Sequence, residues 1–472
     1  MEEKTELTHA TIYDLFDGAA DLNVRKLRCE GIELYAYAID GLTASNSISE
    51  YIIKPIVEQL SGKSMEALYD SALLGVVVNS VAKPCEDLNA AANFLVNGFC
   101  VVLFEGVGAI AFEVKTPEKR SIDGPEMEDT AKGARDAFVE TVRTNTSLIR
   151  RHLRTPDLRL YETQVGRRSM TNISILWIEG LTNTEYVDRV KMRLSNIDAD
   201  GILTPAEVEE YVTGSRWTAF PLLQYTQRPD RFCQGLLDGR VGLLVDGIPL
   251  GYLAPVDIGY LMDSPEDYSR DFVTASAVRI LRYLALIIDL LLPALYVALT
   301  MFHWNMLPES VAQVISQGRI DVPFSPMWEI LMLLLAFELL QESGVHLPQN
   351  FGQSVSIIGG IVVGTVGVEA GLISSLALIT VSISGVCGFV LPNRDLAGAV
   401  RVWRFFLTVL ASCFGLWGVG AGVAVLILRL GMVKSLGVSY LIPFEPGLLR
   451  KRMKNQKQRD GKLKTLDQRK RK

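Results

Sequence analysis

Histidine is nearly missing from this 472-residue chain: there are four, at positions 9, 152, 303 and 346, far apart and in no HxxE or HExxH arrangement. Six cysteines (29, 85, 100, 233, 387 and 413) include no CxxC pair, so neither a zinc site nor a disulfide framework is indicated. There is no glycine-rich phosphate loop either. LSGKSMEALY, around Gly62, imitates GxxxxGK[ST], but Val57 stands where the first glycine belongs. Lacking a nucleophile, base or metal constellation, the chain is not expected to be an enzyme, and no cofactor or metal is expected. The opening MEEKTELTHA is acidic, with no basic n-region or apolar h-region. No cleavable signal peptide is therefore expected, and the N-terminal half is expected to stay in the cytoplasm.

Apolar residues are plentiful but unevenly placed. Hydrophobic residues make up 49% of the chain and mean hydropathy is +0.23. Before about Phe272 no apolar run approaches the ~20 residues of a membrane helix, whereas from Ile280 to Leu430 such runs dominate. Charge is uneven too. Arg450 to Lys472 holds twelve Lys/Arg against two Asp, so with a total of −6 the rest carries about −16. A basic tail directly after the last apolar segment, without aromatics for base stacking, suits an anionic lipid surface and not nucleic acid.

The soluble half repeats itself. YAYAIDGLT (35–43) recurs as SILWIEGLT (174–182), and NGFCVVLFEGVGAIAFEV (97–114) as DGRVGLLVDGIPLGYLAP (238–255), at offsets of 139 and 141 residues. Each copy reads as an apolar strand, an acidic-Gly-Leu-Thr turn, helices, and a strand pair turned by Glu-Gly or Asp-Gly. Two related α/β lobes are expected.

NIDADGILTPAE (196–207) has the spacing of a calcium loop, with Asn196, Asp198, Asp200, Gly201 and Glu207 in ligand positions. At the offset of the duplication, however, Gly201 falls on Gly62. A glycine-centred turn with positive φ, followed by an N-capping Thr204 and Pro205, explains both lookalikes without a ligand, so no calcium site is expected.

In the apolar half, Ile280–Met301, Val355–Val368, Leu372–Leu391 and Phe405–Leu430 are candidate spans, an even number. Met327–Leu340, at 14 residues, is expected to be re-entrant or interfacial. Arg394, Arg401 and Arg404 then fall on the outer side. Asp289, mid-span, is expected to pair with Arg282. Glu329, Glu338 and Glu369 are either elements of a cation pathway or hydrated interface residues, the latter reading being preferred for Glu369. Ser356, Gly360 and Gly364 form a small-xxx-small stripe suited to helix packing or to lining a narrow pore.

Between the lobes, residues 117–159 are polar and helix-forming after Pro125, with Arg143, Arg150, Arg151, His152 and Arg154 clustered. Such a cluster suits either an anion or lobe-to-lobe ion pairs on a solvated helix. This stretch resembles the signature of the A subunits of GerA-type spore germination receptors: Arg120, Ile122, Pro125-Glu126, then Lys132-Gly133-Ala134-Arg135-Asp136-Ala137-Phe138, Glu140, Asn145 and Leu148-Ile149-Arg150-Arg151. The chain departs from the pattern at Gly124, Lys132, Ala134, Asp136 and Ala137. The likeness continues through FPLLQYTQRPD (220–230), SPEDY (264–268), FELLQESGVHLP (337–348) and SLGVSYLIPFEP (435–446).

The resemblance implies a nutrient receptor component in the inner membrane of bacterial endospores. Its partners would be a transporter-like B subunit and a lipoprotein C subunit, and it would assemble as a homo-oligomer into a nutrient-gated ion channel. A secondary transporter is the alternative, but transporters repeat within the membrane half, and here the repeat is in the soluble half. The expected architecture is a soluble α/β N-terminal half of two similar lobes, followed by an α-helical multi-pass membrane domain. The lobes are 1–116 and 160–272, joined by the 117–159 linker; the membrane domain is 273–446 and the basic cytoplasmic tail 447–472. Arg135, Arg150 and Arg151 are the candidate inter-lobe or anion contacts, and Asp289 and Glu338 the candidate intramembrane charges.

Overall fold

The computed structural model describes residues 6–441 apart from 30–31, 59–63, 78–80, 116–123, 126–127, 129–132, 215–217 and 347–358. Residues 1–216 with 223–255 form one compact unit, and 217–222 with 256–472 another.

The first unit holds two five-stranded antiparallel sheets of identical order. In the first sheet β1 (Leu22–Cys29), β2 (Ile32–Ile39), β4 (Phe99–Phe104), β5 (Gly108–Glu113) and β3 (Ala82–Cys85) lie side by side. In the second the order is β6 (Leu158–Val165), β7 (Thr171–Ile178), β9 (Val241–Val245), β10 (Gly251–Ala254) and β8 (Gln224–Thr226). The inner strands β2, β4 and β9 are buried on both faces, so each must be covered twice. In β2, Leu34, Ala36 and Ala38 face one cluster with Ile48, Ile52, Ile56 and Leu68. Tyr35, Tyr37 and Ile39 alternate into another, with Ile12 and Phe16 and with Ala91 and Leu95 of the helix Leu88–Val96. The two-residue period thus builds a helix–sheet–helix sandwich.

The repeated acidic-Gly-Leu-Thr segment closes the second strand of each sheet. Gly41 and Gly180 turn with φ of 83° and 73°. Thr43 Oγ1 donates to the Ile39 carbonyl at 2.9 Å, and Thr182 Oγ1 accepts from the Ile178 amide at 3.3 Å. The strands β1, β3, β6 and β8 are less legible in the sequence, because their partly exposed faces carry charged or polar residues.

The lobes differ in how a helix meets the sheet. In the second, Phe232 of the helix Pro229–Leu237 lies against Gly242 and Gly251, where a Cβ would come within 2.3 and 2.5 Å of its ring. In the first, small Ala91 shares its cluster with Val101, Ala109 and Ala111. Volume sits on the helix in the second lobe and on the strands in the first.

The second unit is mainly helical, with one short antiparallel strand pair, Lys434–Ser435 with Val438–Ser439. Its elements are the helices Phe272–Met301, Glu309–Gln317, Pro326–His346, Ser375–Phe389 and Arg394–Met432, with a short helical stretch at Gly359–Glu369. Phe272–Met301 and Arg394–Met432 are the two, among the described residues, long and apolar enough to cross a membrane. The expected 14-residue apolar segment lies inside the 21-residue helix Pro326–His346. The apolar run ends at Leu340, but Gln341, Glu342 and Ser343 carry the helix on, Gln and Glu being good helix formers.

Arg394–Met432 is not straight. At Gly415, with φ 60° and ψ −140°, it reverses. A Cβ on Gly422 would come within 2.4 Å of Leu407, 15 positions earlier and on the order of 22 Å away in a straight helix. It is therefore a hairpin of two antiparallel arms.

Contacts fix the other directions. Asp289 meets Ser384 while Val297 clusters with Ala377, so Phe272–Met301 and Ser375–Phe389 are antiparallel. Glu329 reaches Ser374 and Phe337 reaches Gly385, so Pro326–His346 runs parallel to Ser375–Phe389. The first arm of the hairpin is parallel to Phe272–Met301, because Arg404 meets Asp289 and Gly415 abuts Phe302 and His303. Gly359 lies against Leu340 and Gly371 against Asp321, which sets that stretch opposite to Pro326–His346.

Candidate functional site

Buried charge pairs occur in both units. In the first unit the helix Val142–His152 lies at the lobe joint. Arg150 Nε and Nη2 donate to Asp21 Oδ2 and Oδ1 at 2.7 and 2.8 Å, and both side chains are 1% exposed. Its Nη1 reaches the Thr155 carbonyl at 3.3 Å. Nearby the main chain crosses between lobes: Ala20 N donates to Leu160 O at 2.8 Å and Leu160 N to Gly18 O at 3.3 Å. Arg143 pairs with Asp40 at 3.1 Å and with Glu162 at 3.0 Å. Gly41 is required there, since a Cβ would sit 2.9 Å from Ser147 Cβ.

Just ahead of this helix the described residues 133–141 form a strap without regular structure and not the helix expected after Pro125; amides of the strap are taken by other partners. Phe138 N donates to Gln227 O at 2.8 Å, and Phe138 packs edge-on against Phe232 with centroids 5.5 Å apart. Asn145 Oδ1 accepts from Val139 N at 2.8 Å and Nδ2 donates to Val139 O at 2.6 Å. Gly247 N donates to Glu140 O at 2.8 Å. His152 Nε2 and Asp136 Oδ2 are 2.7 Å apart. Donating a hydrogen bond to the Asp136 carboxylate raises the His152 pKa above its ordinary 6.5, and His152 holds Asp136 below its ordinary 3.8. Arg135 is exposed and pairs with no described residue; Arg151 is half-buried and its carbonyl accepts from Arg154 Nε at 3.2 Å.

The calcium-like segment is committed elsewhere. Glu207 Oε2 accepts from Leu203 N at 2.9 Å and Thr204 N at 3.0 Å, closing a capping box on the helix Pro205–Thr213. Asp198 pairs with Arg167, and Asp200 with Arg168 at 3.7 Å. Gly201 does not have the expected positive φ; it is needed for close approach, a Cβ there lying 3.0 Å from Ser169. Gly62 lies outside the described residues.

In the second unit Asp289 is paired with Arg404, not with Arg282 as expected. Arg404 Nη1 donates to Asp289 Oδ1 at 2.6 Å, with the two side chains 4% and 0% exposed. Ser384 Oγ donates to the same oxygen at 2.8 Å. Seven residues of helix separate Arg282 and Asp289 by ~10 Å along the axis, too far for the short aspartate to reach back. Arg282 instead bonds Asp267 at 2.6 Å and the Met262 carbonyl at 3.1 Å.

One turn earlier on the same arm, Arg401 Nη1 donates to Glu338 Oε1 at 2.7 Å and Gln341 Oε1 at 2.8 Å. Arg401 and Arg404 therefore lie inside a helix, facing its neighbours. The helix starts at Arg394 because Asn393 Oδ1 caps Leu396 N at 2.8 Å, and the paired carboxylates make the arginines tolerable there.

Glu329, fully buried, accepts from the Ser374 amide and lies 3.3 Å from Arg319 Nη1. Glu369 is exposed. Gly360 is exposed with open space around its Cβ position, and Gly364 has only Leu378, at 3.8 Å. Ser356 lies outside the described residues. Sequence reasoning missed Arg404, Ser384, Asp21 and Arg319 as partners; an odd basic residue within an apolar run was the available signal for Arg404.

A duplicated α/β module and an apolar helical module with a charge-paired interior, in one chain, define the class of protein. Residues 10–469 match the family described as Bacillus/Clostridium GerA spore germination protein, and the chain belongs to that family. It is 33% identical over 421 residues to spore germination protein A1 of Bacillus subtilis (strain 168), covering 89% of this chain and 86% of that protein. It is 32% identical over 446 residues to the uncharacterized membrane protein YfkQ of the same organism, covering 94% and 86%. The solved N-terminal domain of the A subunit of the Bacillus megaterium spore germinant receptor GerK3 aligns at 24% identity and a TM-score of 0.41. That alignment covers 52% of this chain and 92% of that one, a likeness too loose to carry structural weight.

Proposed function

We propose that this chain is the A-type subunit of a nutrient receptor in the endospore inner membrane, acting with a transporter-like B subunit and a lipoprotein C subunit. In this reading it oligomerises into an ion channel opened by nutrient. The observation that carries the reading is the family match over nearly the whole chain, strap signature included. The helical unit is read as multi-pass. Its alternating directions, counting Phe272–Met301, Pro326–His346, Gly359–Glu369, Ser375–Phe389 and the two arms that part at Gly415, support six passes where the apolar runs alone suggest four. Both counts are even, so the N-terminal half and the basic tail share one side, the cytoplasmic one.

The exposed stretch bearing Gly360 and Gly364 is the proposed contact between subunits around the pore, since it buries little within its own chain. Glu338 and Asp289, both paired with arginine, are read as holding helices together.

Conductance of the purified protein in liposomes, and ion release from spores carrying Gly360→Leu, test the proposal. Altered release at normal protein level is expected. Unaltered release at normal level would remove this stretch from the pore, and absence of any nutrient-triggered release defect in a deletion strain would remove the receptor reading.

A further inference from the structure

Three tryptophans are exposed among the described residues of the helical unit, Trp304, Trp328 and Trp417, the last at 83%. All belong to one end of the bundle. Trp304 follows the helix Phe272–Met301 by three residues. Trp417 lies two residues past the Gly415 reversal, which abuts Phe302 and His303. Trp328 immediately precedes Glu329, whose carboxylate meets Ser374 and Arg319. Phe302, Met306, Phe324 and Phe414 are exposed around them. Midway along Phe272–Met301, by contrast, the exposed large residues are the aliphatic Leu284, Ile287 and Ile288. The helix Glu309–Gln317 buries only Ile315 and turns Val311 and Val314 outward.

Rings with one polar and one apolar edge gather where headgroups meet acyl chains, while aliphatic side chains suit the hydrocarbon beyond. We propose that this end of the bundle is seated in a lipid headgroup layer, with Glu309–Gln317 lying along the interface and Trp304, Trp328 and Trp417 marking its depth. The proposal rests on the membrane reading above. Met301 and Phe302, at the end of Phe272–Met301, are exposed together with these aromatic residues. Charge does not hold it there: Glu309–Gln317 has no Lys or Arg, and nearby Arg319 is turned to Glu329. Partitioning of apolar and aromatic surface is the seating force, unlike the basic amphipathic helices that need anionic lipid.

The test uses the full-length protein in nanodiscs whose lipids carry bromine near the headgroup or near the chain end, with Trp304→Phe, Trp328→Phe and Trp417→Phe made singly. Headgroup-proximal bromine should quench tryptophan emission, and each substitution should remove part of that quenching. Chain-end bromine and aqueous iodide should act weakly on these three, and neither added salt nor a changed anionic lipid fraction should matter. Quenching of Trp328 and Trp417 by iodide would overturn the proposal in favour of water. Quenching by chain-end bromine would overturn it in favour of a deeper position, and by no agent in favour of a protein cover such as a second copy. Extraction of the protein from bilayers by alkaline carbonate would instead remove the membrane reading itself.

Discussion

Arg150 and Asp21, 129 residues apart, close a bidentate ion pair with both side chains 1% exposed, at the point where the main chains of the two lobes cross. Removing one partner strands a buried charge, whereas removing both in favour of apolar groups does not. Asp21→Ala or Arg150→Ala is expected to cost about 3–5 kcal/mol. Asp21→Leu with Arg150→Met should recover most of it. Denaturant unfolding of the detergent-solubilised protein, followed by far-UV circular dichroism, measures both; equal losses in single and double variants would contradict the pairing.

His152 and Asp136 set a pH dependence on the strap. The histidine pKa is raised above 6.5 by Asp136, so its contribution is full below 6.5 and fades as pH rises through the raised folded value. The lowered Asp136 value means its own share is present above 3.8 and is lost as pH falls through the depressed folded value. Both groups are partly exposed, which keeps the effect below about 1 kcal/mol. The stability difference between the native chain and His152→Gln should therefore be largest between these limits and shrink on the alkaline side. A difference that grew with rising pH would refute the assignment.

Arg404 and Asp289 neutralise each other across two helices, with Ser384 of a third on the same oxygen. Arg404→Leu leaves the carboxylate buried alone and should lower the amount of protein in the membrane. Arg404→Leu with Asp289→Leu should restore it. Immunoblots of spore membranes decide; a double variant no better than the single one would show that the pair is not the reason for the loss.

Gly415 carries a backbone conformation open to glycine, and a Cβ there would lie 2.7 Å from His303 Cε1. Gly415→Ala should cost roughly 1–3 kcal/mol from the backbone alone, with steric conflict added. Gly431→Ala, where nothing stands within 4 Å, should be nearly neutral. Melting temperatures of the purified variants compare the two, and equal values would remove the reversal.

Much of the architecture is legible in local pattern. The acidic-Gly-Leu-Thr turn and the paired strands repeat at a fixed offset, and Leu34 to Ile39 alternate because a strand has two faces. Glu207 is legible as a cap from its spacing to Thr204. Composition alone divides a polar half from an apolar one.

What the sequence leaves open is every choice among distant partners. Asp289 had Arg282 close in sequence, yet its partner is Arg404, 115 residues on, because a helix carries Arg282 up its axis and out of reach. An apolar run of the length of Arg394–Met432 is equally compatible with one long helix and with two arms; only the glycine conformation at 415, fixed by Phe302 and His303 against it, makes it a hairpin. Periodicity records which face of an element is apolar, and burial of charge against charge decides which elements meet.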